Sequence, residues 1–202
     1  MSSILLVAIA PVDVSVLSPL TESIGKTFEA RVDVIQSPPL DGSFAFNLSR
    51  NQYNSTSILS ALLEKSAEWI RPADFSNGPP SVPAERDFTR MRSGGKILGV
   101  TDGDIFVPVL TYVFGEAQFD GKAAVVSSHR LREEFYGLQP DKIVFMSRLA
   151  KEAIHELGHT FGLIHCGNYL CVMHSSTGVE EVDVKTDRFC DECRKKLIAH
   201  GW

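Results

Sequence analysis

One five-residue stretch, His155-Glu156-Leu157-Gly158-His159, restricts the local structure of this chain more than any other, because its chemistry is coherent only on a helix. Residues four apart on an α-helix project side by side, so two imidazoles can reach one metal ion while the carboxylate of Glu156 stands next to it. A carboxylate there can take a proton from a water whose pKa the metal lowers toward neutrality. The helix is legible from about Asp141: Ile143, Met146, Ala150, Ile154, Leu157 and Phe161 recur at steps of three or four and define a core-facing stripe, with His155 and His159 beside it. Gly162 then offers the left-handed backbone that commonly stops a helix. Two such histidines could also be merely solvated or hydrogen-bonded, so the pentad alone does not decide.

The chain goes on to His165, which gives His155-Glu156-x-x-His159-x-x-Gly162-x-x-His165. A glycine turn brings back a third imidazole, completing three protein ligands and leaving the fourth position for water. This is the metzincin form of the motif, which sets a methionine turn beneath the metal, and Met173 lies eight residues after His165, where such a turn is expected.

All four cysteines lie beyond the third histidine: Cys166, Cys171, Cys190 and Cys193, spaced C-x4-C, then eighteen residues, then C-x2-C. Each short loop offers two thiolates to one tetrahedral zinc. Two disulfides, or a redox pair at Cys190 and Cys193, are the alternatives. A reducing compartment favours zinc, and the redox pair leaves Cys166 and Cys171 without a purpose.

The rest of the chain bounds the answer. Its 202 residues, 44% of them hydrophobic, suffice for a core without staples. A net charge of −5 with scattered Lys and Arg argues against nucleic acid. The apolar run Ile4 to Ala10 is too short to span a membrane, lacks a cationic lead-in and ends at Pro11; it reads as a buried strand, not a signal peptide, so a cytoplasmic location is expected. Ile4 to Ile9, Arg31 to Ile35, Lys96 to Val100, Asp104 to Val113 and Ala123 to Ser127 are strand-like runs, and together they predict a mixed sheet of about five strands. Helices are predicted from Ser18-Pro19, as N-cap and first helical residue, and after Ser55 through Leu59, Leu62, Leu63, Ala67 and Ile70. Arg71 to Gly95, rich in Pro, Gly and Ser, reads as a long loop that could rim a cleft. The fold class expected is α/β (α+β), with helices packed on the sheet.

His155 to Cys193 closely resembles the archaemetzincins, whose signature joins HExxHxxGxxHC to a second cysteine, a methionine turn and a closing CxxC. The family pattern has one more residue between the methionine and that CxxC than the sixteen here. The resemblance implies a compact metzincin-like domain with two Zn(2+) per chain, one catalytic on His155, His159 and His165, the other structural on Cys166, Cys171, Cys190 and Cys193. Before His155 the likeness is one of general character, a small sheet with two helices; residues 1–202 are expected to form one domain, with 1–165 making the sheet and active-site helix and 166–202 the zinc-stabilised C-terminal segment.

The expected activity is that of a zinc metallopeptidase, aminopeptidase or endopeptidase, in which Glu156 is general base and then acid. A monomer acting on peptide or protein, with no nucleic-acid or membrane partner, is expected. The alternative is a non-catalytic or weakly active zinc-stabilised binding protein, since His174 and two serines, and no tyrosine, follow Met173. His174 is a candidate oxyanion stabiliser set against an ordinary surface histidine. An extended peptide substrate needs an exposed strand edge, with Ala123 to Ser127 the first candidate and Phe114 to Ala117 the second.

Overall fold

The computed structural model describes residues 3–69 and 95–200, apart from the side chains of 36–38 and 67–69. In chain order the elements are β1 (Ser3–Ala10), α1 (Leu17–Thr27), β2 (Arg31–Asp41), β3 (Phe46–Asn47), β4 (Gln52–Asn54), α2 (Ser55–Trp69), β5 (Lys96–Thr101), β6 (Ile105–Phe106), β7 (Gly115–Ala117), β8 (Ala123–Ser127), α3 (Lys142–Thr160), α4 (Val179–Val184) and α5 (Asp191–Ala199), with short 3-10 turns between some of them.

The main sheet has the order β2-β1-β5-β8-β7. The first four strands run parallel, and β7 is antiparallel to β8 at one edge. Strands covered on both faces read as continuous apolar runs, and their residues divide by parity. Ile4, Leu6, Ala8, Leu98, Val100, Ala124 and Val126 join one core cluster with α1 and α3. Leu5, Val7, Ile9, Ile97, Ala123 and Val125 join a second with Ile58, Leu59 and Leu62 of α2. The fold is therefore mixed α/β, a sheet between helical layers.

Several expectations shift in detail. The run Asp104 to Val113 is not one strand: Ile105–Phe106 is a short strand in a small sheet of order β3-β4-β6, and Val113 returns to pair with Ile105 in an isolated antiparallel bridge. Pro108 removes a ladder donor and the chain turns, with Leu110 N–H donating to the carbonyl of Val107 at 3.0 Å. Helix α1 begins at Leu17, so Ser18 and Pro19 occupy its first turn, where a missing N–H costs nothing. On α3 the predicted stripe holds from Met146 to Phe161, but Ile143 is 84% exposed, and Phe145 and Leu149 add to the buried face. The Arg71 to Gly95 loop lies outside the described residues apart from Gly95. Helices α4 and α5 were not anticipated, and Val172, Val179, Val182 and Leu197 from this C-terminal region enter the same core cluster as α3. Among the described residues no helix is long and apolar enough to cross a membrane.

Candidate active site

Helix α3 carries the site on its last two turns. Its start is fixed by Asp141, whose carboxylate accepts from the N–H groups of Ile143 and Val144 at 2.9 and 3.0 Å. Its end is fixed by Gly162 at φ +78°, a left-handed conformation that a side chain would strain. There the N–H of Gly162 reaches the carbonyl of His159 and that of Leu163 reaches Gly158, the paired bonds of a Schellman stop. The chain reverses, and three residues later His165 faces the helix.

The structure brings His155, His159 and His165 together, with one ring nitrogen of each within 4.8 Å of the others. Ring orientation is set from behind. The Nδ1–H of His155 donates to the carbonyl of Val172 at 2.8 Å, and that of His159 to the carbonyl of Leu163 at 2.7 Å. Both Nε2 atoms must then carry lone pairs, yet they lie 3.1 Å apart. Two acceptors at that distance suit a shared cation, so the donor set fits zinc. Burial pushes all three imidazoles below their ordinary pKa, and the Lys185 ammonium pushes the same way. Neutral histidines are the form that ligates.

Met173 is fully buried, with its sulfur packed against Gly158 of α3. The four cysteine sulfurs also converge within 4.8 Å, and none is in a disulfide. Cys166 Sγ lies 3.8 Å from Cys190 Sγ. Burial and the neighbouring thiol of Cys171 push the Cys193 thiol well above its ordinary pKa range. The two clusters share backbone. Cys166 follows His165 directly, its N–H donates to the carbonyl of Met173 at 2.9 Å, and its carbonyl accepts from His174 Nδ1 at 3.0 Å.

Glu156 is buried, and burial raises its proton affinity well above that of an ordinary carboxylate; Glu152 adds to this and Lys185 opposes it. Its side chain lies against Gly115 of β7, where an added Cβ would stand 2.4 Å from Cγ and 2.6 Å from Oε1. This corrects the expected substrate edge. Ala123 to Ser127 is β8, paired on both sides by β5 and β7, whereas the second candidate, Phe114 to Ala117, contains the edge strand itself. Sequence proximity misled, because the chain makes β7 first and then returns to place β8 inside it.

Sequence reasoning missed Glu152 and Lys185, and although Gly115 lies within the second candidate edge, its packing against Glu156 was not foreseen. Glu152 had a faint signal, an acid one turn before Glu156 on a helix with a buried face. Lys185 had none, since nothing local marks a lysine for burial. His129 and His200 are not in the cluster; His129 Nδ1 instead lies 3.2 Å from the carbonyl of Asp102.

The model of Peptidase family M54 matches residues 85–199. Archaemetzincin of Methanocaldococcus jannaschii is 44% identical over 158 residues, covering 78% of this chain and 73% of that protein. Among solved structures, a zinc-dependent peptidase from Methanocorpusculum labreanum superposes with a TM-score of 0.77 at 35% identity, covering 96% of this chain and 99% of that one. Archaemetzincin from Archaeoglobus fulgidus, complexed with malonate, gives a TM-score of 0.71 at 34% identity with the same coverages, 96% and 99%.

Proposed function

The chain belongs to peptidase family M54 and is a zinc metallopeptidase of the archaemetzincin kind, and from that premise we propose that His155, His159 and His165 hold its catalytic zinc and that Glu156 is the general base and acid of peptide-bond hydrolysis. One observation carries this: His155, His159 and His165 bring one ring nitrogen each within 4.8 Å of the others, and the buried Glu156, next in the chain to His155, packs its side chain against Gly115 of the edge strand. Zinc on three histidines keeps a position open and supplies Lewis acidity, which lowers the pKa of water there and polarises a carbonyl.

The chain's own groups do the rest. Val172 and Leu163 hold the rings of His155 and His159 through Nδ1. β7 offers unpaired main-chain groups to an extended peptide, which adds to the sheet as a further strand. Glu156, one residue beyond His155 and against that strand, takes a proton at a carboxylate oxygen during attack and returns it to the leaving amine. The raised proton affinity conferred by its buried surroundings suits a group that must both gain and lose a proton.

We read the activity as that of an aminopeptidase. Glu116 follows Gly115 on the edge strand, and its carboxylate is held by the Thr56 hydroxyl at 3.0 and 3.1 Å. It also lies near enough to raise the proton affinity of Glu156. A fixed carboxylate there complements a free α-amino group. The second zinc is assigned to Cys166, Cys171, Cys190 and Cys193, with Met173 as the turn beneath the histidines, and a reducing cytoplasm keeps those thiols available.

The test is a peptide library presented with free and with acetylated N-termini, assayed before and after chelation and zinc return. Cleavage that needs zinc and a free N-terminus is expected; zinc-independent cleavage refutes the histidine assignment, and equal cleavage of acetylated peptides refutes the aminopeptidase one.

Gly115→Ala tests the edge more finely. Its Cβ must displace the Glu156 carboxyl, and misplacing a catalytic group by about 1 Å can cost on the order of 10²-fold. We expect kcat/KM to fall by about that factor while Tm holds. Unchanged kinetics would mean that Glu156 does not work from the position the structure shows.

A further inference from the structure

Lys185 follows α4, and its side chain is 0% exposed. Lysine is almost never fully buried without a partner, and here the partner is Glu152, itself only 4% exposed, at 2.8 Å from Nζ to Oε1. Two further groups meet the same ammonium. It donates to the carbonyl of His174 at 3.1 Å and lies 3.5 Å from Nδ1 of His155.

Those contacts join two pieces of chain that the histidine cluster depends on. Glu152 sits one turn before His155 on α3. His174 closes the segment 172–174, whose Val172 carbonyl orients the His155 ring. The strip containing Lys185 is stitched to that segment by backbone as well: Thr186 N–H donates to Leu170 at 3.0 Å, and Val172 N–H donates to Arg188 at 2.9 Å.

Stability alone does not account for a buried ion pair at this place. Desolvating two charges offsets much of their attraction, and apolar residues of similar volume often hold a core equally well. The pair also adds no net charge beside a site that takes a dication, as a lone lysine would.

We infer that Lys185 and Glu152 are positioning residues for the histidine site, tying α3 to the methionine-turn segment so that Val172 fixes the ring of His155. This rests on the proposal that His155, His159 and His165 hold zinc. Groups that orient metal ligands from behind typically change metal affinity by about 10- to 100-fold when removed.

The full-length protein tests this in the double variant Lys185→Met with Glu152→Met, which removes both charges and keeps comparable volume. Three quantities are measured: Tm, zinc affinity of the histidine site by competition with a chromophoric chelator, and the visible absorption of Co²⁺ placed in that site. The expected result is a Tm within a few degrees of wild type, a zinc affinity lower by about 10- to 100-fold, and a shifted Co²⁺ band. A folded double variant with wild-type affinity and an unchanged band overturns the inference. Lys185→Met with Glu152→Gln is the second variant, expected to behave likewise. If neither folds, the pair is a folding element and the positioning role is wrong. Should wild type itself take up no zinc or Co²⁺ on histidine, the zinc proposal fails, an outcome distinct from variants that bind as well as wild type.

Discussion

Glu156→Gln is expected to keep the fold and the metal content of wild type while lowering kcat/KM on any cleaved peptide by about 10³-fold or more, since general base and acid catalysis is commonly worth on the order of 10² to 10⁴. Size and shape are preserved, so the packing against Gly115 survives. The glutamine carries no charge to desolvate, whereas burial already disfavours the carboxylate; Tm should therefore hold or rise slightly. Turnover is measured alongside zinc content. A variant that retains its zinc and full zinc-dependent turnover would remove Glu156 from the chemistry.

Cys193→Ser is expected to produce the largest loss of stability and, with it, weaker zinc binding at the histidines. Structural zinc sites contribute roughly 10 to 16 kcal/mol of apparent binding energy that couples to folding. Losing even a third of the smaller value is about 3 kcal/mol, which lowers Tm by roughly 6–12 °C in a chain of this size. The route to the histidines is through Cys166, whose N–H and carbonyl are bonded to Met173 and His174. Slack at Cys166 moves His165, its covalent neighbour. Tm and histidine-site affinity are to be compared under excess reductant, where a disulfide would already be open. Identical behaviour of wild type and variant there would rule out a four-sulfur zinc site.

How much of this was legible in the chain depends on sequence separation. The histidines lie within eleven residues on one helix and its turn, so a local rule places them, and Asp141 and Gly162 mark both helix ends by capping chemistry. The cysteine spacing is likewise a property of two short loops. The edge strand is different: whether β7 or β8 lies outermost depends on how strands from distant parts of the chain are ordered, and no residue in either encodes that alone. β3, β4 and β6, two or three residues each, are too short to display alternation. Lys185 and Glu152 are separated by more than thirty positions and look like surface charges until the core closes on them. The C-terminal region reads as poor in apolar residues, and Leu170, Val184 and Ile198 are indeed more than half exposed. Val172, Val179, Val182 and Leu197, however, belong to the main core. That part of the chain is thus held by packing in addition to the proposed four-sulfur zinc, and the Cys193→Ser variant should loosen it without unfolding the sheet.

The shortness of β7 has a consequence for what the enzyme can discriminate. The strand is three residues long, about 10 Å at roughly 3.3 Å per residue. Only a few main-chain hydrogen bonds fit along it, each worth about 0.5–1.5 kcal/mol net. Such an edge works as a short ruler: it reads that a segment is extended and little else about its length or distant sequence. A peptide held along so short a strand gains few main-chain bonds, so on the proposed mechanism its affinity should be modest and depend little on residues beyond the edge.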